Sequence, residues 1–294
     1  MYLGEMAAVA AALVWAIATW IYSQFSHQFT ALQLNIVKGT VASAMMLLVL
    51  PMMPMPEFEI SSDHIAVLAV SGVIGIAIGD SAYFAALKRI GANKTLLLES
   101  LAPPLSGVLA LVALGSALSF QSWLGVFITT LAVTMVIFNP KSSEPKASLS
   151  GVGYGLLASV CQATGVVISH YALVAGDIPP LLGALIRLSV GVLSVALLIK
   201  LVEKKPYQSL LSHTRSLSAK QGYTLLLAIF VGTFLALWLQ QIALKHANPA
   251  VAQTLIATSP LFMLVIYFFK GQPVSKSALL GTLAAVGGIS LFFL

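Results

Sequence analysis

The sequence predicts an all-α integral membrane protein with ten transmembrane helices, arranged as two inverted five-helix repeats. Of the 294 residues, 59% are apolar and only 8% are charged, and the mean hydropathy is +0.98. Soluble domains carry about 25% charged residues, so this chain cannot cover a water-facing surface. Apolar stretches of roughly 20 residues, the length of a membrane-crossing helix, recur along the chain. One sequence pattern of the first half also returns in the second half.

Polar residues, prolines and glycines divide the apolar sequence into ten segments. Backbone groups in lipid must bond internally, which allows only helices or closed barrels, and no barrel-like alternation occurs here. The first segment begins almost at once and lacks a basic leader, so we expect it to be retained rather than cleaved as a signal. The predicted helices cover residues 3–23, 31–50, 65–87, 95–115, 121–138, 151–174, 181–201, 222–244, 250–270 and 276–294.

The repeated pattern joins a short turn to a later proline. Ala86-Leu87-Lys88 followed by Pro103 matches Ala243-Leu244-Lys245 followed by Pro260, with the same spacing. Five helices per repeat is an odd number, so the two repeats must cross the membrane in opposite orientations. Inverted repeats are typical of secondary transporters, whose site lies between the repeats near the membrane midplane. Further matched pairs are Trp15 and Gln162, Lys38 and Arg187, Gly75 and Gly232, Tyr83 and Gln240, and Glu99 and Ile256.

The Ala-Leu-Lys turn into a proline-bearing fourth helix, and its copy Ala-Leu-Lys-His-Ala-Asn-Pro-Ala before Ser259-Pro260, resemble the drug/metabolite transporter superfamily. The EamA-like branch of that superfamily is the most similar. The resemblance implies a first EamA-like repeat at 1–139, a linker at 140–150 and a second repeat at 151–294. It also implies small-molecule transport by alternating access, often efflux of amino acids or related metabolites, in a bacterial-type inner (plasma) membrane.

Loop charges predict an orientation that differs from the habit of the family. Of the 15 lysines and arginines, twelve lie in the odd-numbered loops or at the span ends that border them, Lys245 lies in an even loop, and Lys38 and Arg187 lie deeper within spans. The positive-inside rule then places the odd loops in the cytoplasm and both termini outside. The resemblance implies cytosolic termini instead, and both orientations stay open at this point.

Four charged residues fall inside predicted spans, where they are costly and usually face the bundle interior: Lys38, Asp80, Glu99 and Arg187. The two cations either reach a headgroup layer or clamp neighbouring helices, or they bind an anion between the repeats. Asp80 is either a structural partner of Lys38 or a proton-coupling group. Glu99 either pairs with a nearby cation (Lys88, Arg89 or Lys94) or exchanges a proton as a desolvated carboxylate.

Prolines and polar or aromatic side chains complete the candidate site. Pro103, its neighbour Pro104 and the matched Pro260 remove backbone donors, which gives either a hinge for transport or a static kink. Amides within spans need partners and therefore face protein or water. Side chains of this kind predict a cavity for a mildly polar or aromatic metabolite, lined by Trp15, Thr19, Tyr83, Gln162, Trp238, Gln241, Gln253 and Thr254 together with the four charged residues.

Other functional classes find little support in the sequence. The basic residues behind the net charge of +6 sit in short loops, so they indicate topology rather than nucleic-acid binding. Cys161 is the one cysteine, the five histidines are scattered, and no nucleotide-binding or hydrolase motif occurs, so we expect no cofactor, no metal and no enzymatic activity. The predicted partners are a small-molecule substrate, the lipid bilayer and protons. We expect a monomer, since one chain holds both repeats. The alternatives are a non-transporting membrane scaffold and an intramembrane enzyme.

Overall fold

The computed structural model describes residues 2–53, 61–105, 120–137, 148–247, 249–272, 274 and 276–292. The described residues form helices and their connections, with no strand among them. The helices are α1 (Leu3–Phe25), α2 (Ala31–Val49), α3 (Ser62–Ile90), α4 (Ala92–Glu99), α5 (Phe120–Ile137), α6 (Leu149–Ala175), α7 (Pro180–Val202), α8 (Pro206–Ser216), α9 (Ala219–His246), α10 (Pro249–Ile256), α11 (Ser259–Phe269) and α12 (Lys276–Phe292).

Six of these helices are long and apolar enough to cross a membrane: α1, α2, α3, α6, α7 and α9. Two shorter apolar helices, Ser259–Phe269 and Ala278–Gly288, lie among the described residues of the last two predicted spans. The multi-pass membrane character predicted from composition is therefore supported by six clear spans. Part of the predicted fourth span, at 106–119, lies outside the described residues.

The predicted fourth and ninth spans are each interrupted, and proline geometry explains where. A proline ring clashes with the carbonyl of the residue four positions earlier. That residue is Glu99 for Pro103 and Ile256 for Pro260, and α4 and α10 end at these two residues. Helical structure resumes at 102 after the first break and at Ser259 after the second. Serine hydroxyl groups bond backbone carbonyls at both breaks. Ser100 Oγ donates to Leu97 O at 2.6 Å, and Ser259 Oγ donates to Ile256 O at 2.7 Å.

Two long helices contain a π-helical segment near their own middle. The segment in α3 is Val73–Asp80 and the segment in α9 is Phe230–Leu235. They include the matched glycines Gly75 and Gly232. Wide turns of this type are uncommon and are frequent at functional sites. Because each π turn holds more residues than an α turn, the helix faces that follow are rotated relative to a continuous α-helical pattern.

Glycines allow α3 to pack closely against α6 and α7. A Cβ atom on Gly72 would lie 2.2 Å from the backbone oxygen of Arg187, and one on Gly191 would lie 2.7 Å from Ile76. Ser71 Oγ also donates to Gly165 O of α6 at 2.6 Å. Small residues are the usual means of close helix approach in membranes. These contacts bring the middle of α7, with Arg187, against the π segment of α3.

Connections between the helices meet at two ends of the bundle. Thr30, which caps α2, and Gln33 both donate hydrogen bonds to Glu203, which follows α7. Lys245, near the end of α9, forms an ion pair with Asp177 in the α6–α7 loop, with 2.7 Å between Nζ and Oδ1. The α1–α2 loop therefore lies beside the end of α7, and the α6–α7 loop lies beside the end of α9. This is the alternation that antiparallel membrane spans require.

Candidate functional site

Two adjoining small cavities lie between the helices at the centre of the bundle, and charged side chains reach the first of them. The space open to the centre of a water molecule is about 40 Å³ in the first cavity and about 30 Å³ in the second. One water needs roughly 10–15 Å³ on this measure, so each cavity has room for a few waters and neither has room for a metabolite. Five residues line both cavities: Trp15, Glu99, Gln162, Gln240 and Ile256.

The first cavity holds a buried ion pair between α2 and α3. Lys38 Nζ binds Asp80 Oδ2, and the side chain of Lys38 is 1% exposed against 18% for Asp80. The ammonium also lies over the ring of Phe84, 5.2 Å from its centroid. Lys38 is therefore directed into the bundle and neutralised there. The ammonium group of Lys38 and the carboxylate of Asp80 depend on each other, because an unpaired charge away from water strongly destabilises the fold.

The matched cation of the second half has a different environment. Arg187 of α7 is 2% exposed and lines the first cavity. Its Nη1 lies 3.5 Å from Gln240 Oε1, a long contact, and its Nε has no hydrogen-bond partner. Among the described residues, Lys38–Asp80 and Lys245–Asp177 are the ion pairs, so Arg187 has no carboxylate within 4.0 Å there. The residue that matches Asp80 in the second half is Leu237, which also lines the cavity.

Glu99 projects between the two cavities from the end of α4. Its Oε2 accepts a hydrogen bond from Trp15 Nε1 at 2.9 Å. Within the described part of the chain, Glu99 forms no ion pair. Arg89, one of the cations considered for it, instead donates to Ala85 O and lies over the Tyr154 ring. The structure therefore places a carboxylate beside the cavity with an indole donor rather than a cation.

Tyr83, which is held by a hydrogen bond, packs against the indole ring of Trp15. The Tyr83 ring lies 5.3 Å from that of Trp15, and its hydroxyl group bonds Thr19 Oγ1 at 2.6 Å. Tyr22 OH similarly bonds Thr233 Oγ1 of the α9 π segment at 2.8 Å. Thr19 and Tyr83 are buried and are not among the residues that line the two cavities. Their role in this geometry is to fix the orientation of Trp15.

The second cavity lies between the two interrupted helices. Ser100 and Pro103 line it from the first break, and Ala257, Ser259 and Pro260 line it from the second. Gln253 of α10 is buried and also lines this cavity. Pro104 is buried beside Pro103. The two breaks thus face one another across a small cavity of mostly apolar lining.

The remaining predicted residues lie elsewhere. Trp238 packs at the edge of the apolar core against Phe234, with 5.8 Å between ring centroids. Gln241 is fully buried and accepts a hydrogen bond from Ser169 Oγ at 2.9 Å, outside both cavities. Thr254 lies in α10, and its side chain is outside the described part of the structure.

Several cavity residues were not predicted as site residues from the sequence. Gln240 lines both cavities and contacts Arg187. Its sequence match to Tyr83, a predicted site residue, was a signal that could have identified it. Gly75 and Gly232 line the first cavity, although the sequence identified them only as a matched pair. The other unpredicted residues of the first cavity are apolar and carry no recognisable signal in a membrane helix: Ala11, Ile76, Ala236, Leu237 and Ile256.

Comparisons with known proteins show which sequences and which fold this chain resembles. A sequence model described as the EamA-like transporter family matches residues 2–138 and again 149–294. A protein of Archaeoglobus fulgidus named "Uncharacterized transporter" is 27% identical over 157 residues, which are 53% of this chain. The match spans 55% of that relative's length. A solved structure described only as the crystal structure of a protein superposes over 98% of this chain and 95% of its own, with a TM-score of 0.68 and 16% identity. The last likeness concerns the fold alone.

The buried Lys38–Asp80 pair predicts a specific stability effect. We expect Asp80→Asn to lower the free energy of unfolding by about 3 kcal/mol, because it leaves the Lys38 ammonium buried without a counter-charge. The double variant Lys38→Met with Asp80→Asn should recover a large part of that loss. Thermal unfolding in detergent micelles measures both effects. If the single variant is as stable as the double variant, Lys38 does not depend on Asp80.

The exposed pair of Asp177 with Lys245 provides a matched control. The hydrogen bond and charge of Lys245 lower the pKa of the Asp177 carboxyl. A lowered pKa means that the pair contributes stability at neutral pH and loses it as the pH falls through that pKa. Asp177 is 79% exposed, and surface ion pairs contribute little. Asp177→Asn should therefore leave the unfolding midpoint at neutral pH almost unchanged.

Proposed function

Because the chain belongs to the EamA-like transporter family, we propose that it is a secondary transporter that moves small organic metabolites across a bacterial-type inner membrane. The observation that carries this proposal is the polar cavity at the bundle centre, where Lys38, Asp80, Glu99 and Arg187 all reach the same space. Charged groups within membrane spans usually mark substrate or ion pathways. The relative from Archaeoglobus fulgidus is named as a transporter, which agrees with this reading.

We propose further that the chain has ten membrane spans in two inverted repeats, at 1–139 and 151–294, joined by a linker at 140–150. Three observations support this. The family model matches the chain twice. The helix breaks and the π segments begin at matched positions in the two halves. Both members of five matched pairs line the first cavity: Trp15 and Gln162, Lys38 and Arg187, Gly75 and Gly232, Asp80 and Leu237, and Glu99 and Ile256.

Transport would proceed by alternating access around this cavity. Its present size requires helix movement before a metabolite can enter. The two breaks, near Pro103 and Pro260, border the second cavity and lack continuous helical hydrogen bonding. Short interruptions of this kind absorb changes in backbone angles more easily than intact helices. We therefore assign the prolines to hinges. One chain contributes both sides of the site, so a monomer suffices.

Glu99 is the group that we assign to proton coupling. Asp80 is neutralised by Lys38, whereas Glu99 faces the cavity with Trp15 as its donor. A substrate ammonium group and a proton would compete for this carboxylate. Such competition couples outward movement of an amino acid to inward movement of a proton. This supports export of amino acids or related compounds.

Proteoliposomes test both transport and coupling. We expect the purified protein to carry at least one member of a panel of amino acids and related metabolites, with net flux driven by an imposed pH gradient. Glu99→Gln should lose gradient-driven net flux and keep exchange of labelled for unlabelled substrate. The amide can still accept the Trp15 hydrogen bond but cannot release a proton.

Asp63→Asn is the matched control, because it converts a carboxylate to an amide at an exposed position outside both cavities. It should leave both fluxes unchanged. Equal net flux in wild type and Glu99→Gln would show that Glu99 does not carry the proton. An absence of flux for every compound in the wild type would favour a non-transporting scaffold or an enzyme instead.

Loop charges support a cytoplasmic location for the ends of α3 and α7 and for α8, with both termini outside. Cysteine labelling checks this orientation in a Cys161→Ala background. Ser62 and Ser212 are both exposed and belong to opposite ends of the bundle under this topology. A membrane-impermeant maleimide should label Ser62→Cys in intact cells and label Ser212→Cys only after lysis. The reverse pattern would contradict the charge-based orientation and favour cytosolic termini.

A further inference from the structure

We propose that the substrate carries a carboxylate and that Arg187, together with Gln240, binds it. The carboxylate would take beside Arg187 the place that Asp80 takes beside Lys38. This inference rests on the transport function proposed above and narrows it to a chemical class. It is drawn from an asymmetry between two otherwise matched halves.

The two halves differ in one carboxylate beside their matched cations. Lys38 and Arg187 occupy matched positions, and both are almost completely buried. The first half supplies Asp80 as the counter-charge of Lys38. The second half has Leu237 at the matched position, so it supplies a cation without an anion. A buried charge without a partner is strongly unfavourable, which makes the second half suited to an anion that arrives from outside the protein.

The contacts of Arg187 show which of its groups are available. A guanidinium group has five N–H donors in a planar fork. Among the described residues, the side chain makes the 3.5 Å contact of Nη1 with Gln240, and Nε is buried with no hydrogen-bond partner there. Buried donors are nearly always satisfied in native proteins, and exceptions call for a water or ligand. Arg187 lines the first cavity, so a ligand in that space can reach it.

Gly75 leaves room for the guanidinium group. A Cβ atom at this position would lie 3.2 Å from Arg187 Nη2, closer than most side-chain contacts. The cavity therefore receives the end of Arg187 without crowding from α3. The planar fork of arginine matches the two oxygens of a carboxylate and binds them in parallel hydrogen bonds.

Charge balance favours a carboxylate over a phosphate. Lys38 and Asp80 cancel one another, and Glu99 adds negative charge to the same cavity. With Glu99 ionised, the four groups carry no net charge, and a zwitterionic amino acid keeps this balance when its carboxylate meets Arg187 and its ammonium group meets Glu99. With Glu99 protonated, Arg187 balances one carboxylate. A doubly charged phosphate would leave excess negative charge away from water in either case. The other lining residues are largely apolar or aromatic, among them Trp15, Ala236 and Ile256. They suit the organic part of a small acid or amino acid.

Matched pairs of compounds test this inference directly. The probes are L-leucine and L-leucinamide, L-phenylalanine and L-phenylalaninamide, and phenylacetate and phenylacetamide, so that each pair differs in the carboxylate alone. Binding to the purified protein in nanodiscs is measured by ligand-dependent thermal stabilisation. We expect at least one carboxylate to bind about ten- to a hundredfold more tightly than its amide, the usual range for hydrogen bonds to a charged group.

Variants identify the residue responsible. Arg187→Gln should abolish the preference for the carboxylate, and Arg187→Lys should keep part of it, because lysine retains the charge and loses the fork. Leu237→Asp supplies the carboxylate that the second half lacks, so it should also abolish the preference. Leu237→Asn has nearly the same shape without the charge and should retain it. Arg215→Gln changes an exposed arginine of α8 and should leave binding as in the wild type.

The outcomes separate this inference from the transport function. If no carboxylate is preferred over its amide, or if the preference survives Arg187→Gln in a folded protein, the assignment is wrong. Proteoliposomes that carry amides as well as carboxylates would leave transport standing and overturn the carboxylate site. Preferential carboxylate binding that depends on Arg187, without flux of any compound, would support the site and overturn the transport function.

Discussion

The ion pair of Lys38 with Asp80 fixes the arrangement of the bundle centre. Each of its charges would cost several kcal/mol to hold away from water alone, so α2 and α3 must meet at this point. The same stretch of α3 forms the π segment, and its glycines bring α7 close enough that a Cβ on Gly72 would overlap the backbone oxygen of Arg187. The pair and the close packing together place a second, unneutralised cation in the same cavity. The polarity of the site therefore follows from how α3 packs.

The two halves of the chain are alike in the backbone features that form the site, and they differ in the carboxylates that reach it. Proline ends a helix at Glu99 in one half and at Ile256 in the other, and the two breaks border a common cavity. The helix breaks and the π segments occur at matched positions in both halves. Positive charge repeats at Lys38 and Arg187, whereas negative charge does not: Asp80 is matched by Leu237, and Glu99 by Ile256. The two carboxylates thus sit at positions where the halves have diverged, and a substrate would contact different chemistry on its two sides.

Much of the fold followed from sequence because its causes are local. Composition predicted membrane helices, and the two prolines predicted weak points in the fourth and ninth spans. The four charged residues and the amides Gln162 and Gln253 were predicted by their cost within a membrane, and Trp15 was predicted as an aromatic residue within a span. The structure places all seven at the two cavities. Trp238 and Gln241 do not reach them; both follow the π segment of α9, whose wide turns shift the helix faces in a way that a continuous α-helical pattern does not foresee. Thr19 and Tyr83 bond one another outside both cavities. The hydrogen bond of Trp15 with Glu99 joins residues 84 positions apart, so it depends on helix packing rather than on any local pattern.

If substrate passes between the halves when the two helix breaks move relative to each other, then holding the breaks together should stop transport. Ser100 and Ala257 line the second cavity from opposite breaks, which allows a direct test. In a Cys161→Ala background, Ser100→Cys and Ala257→Cys can be joined by a short reducible cross-linker, with each single cysteine variant as the control. We expect cross-linking to stop transport in proteoliposomes and reduction to restore it. Undiminished transport by the fully cross-linked protein would contradict this mechanism.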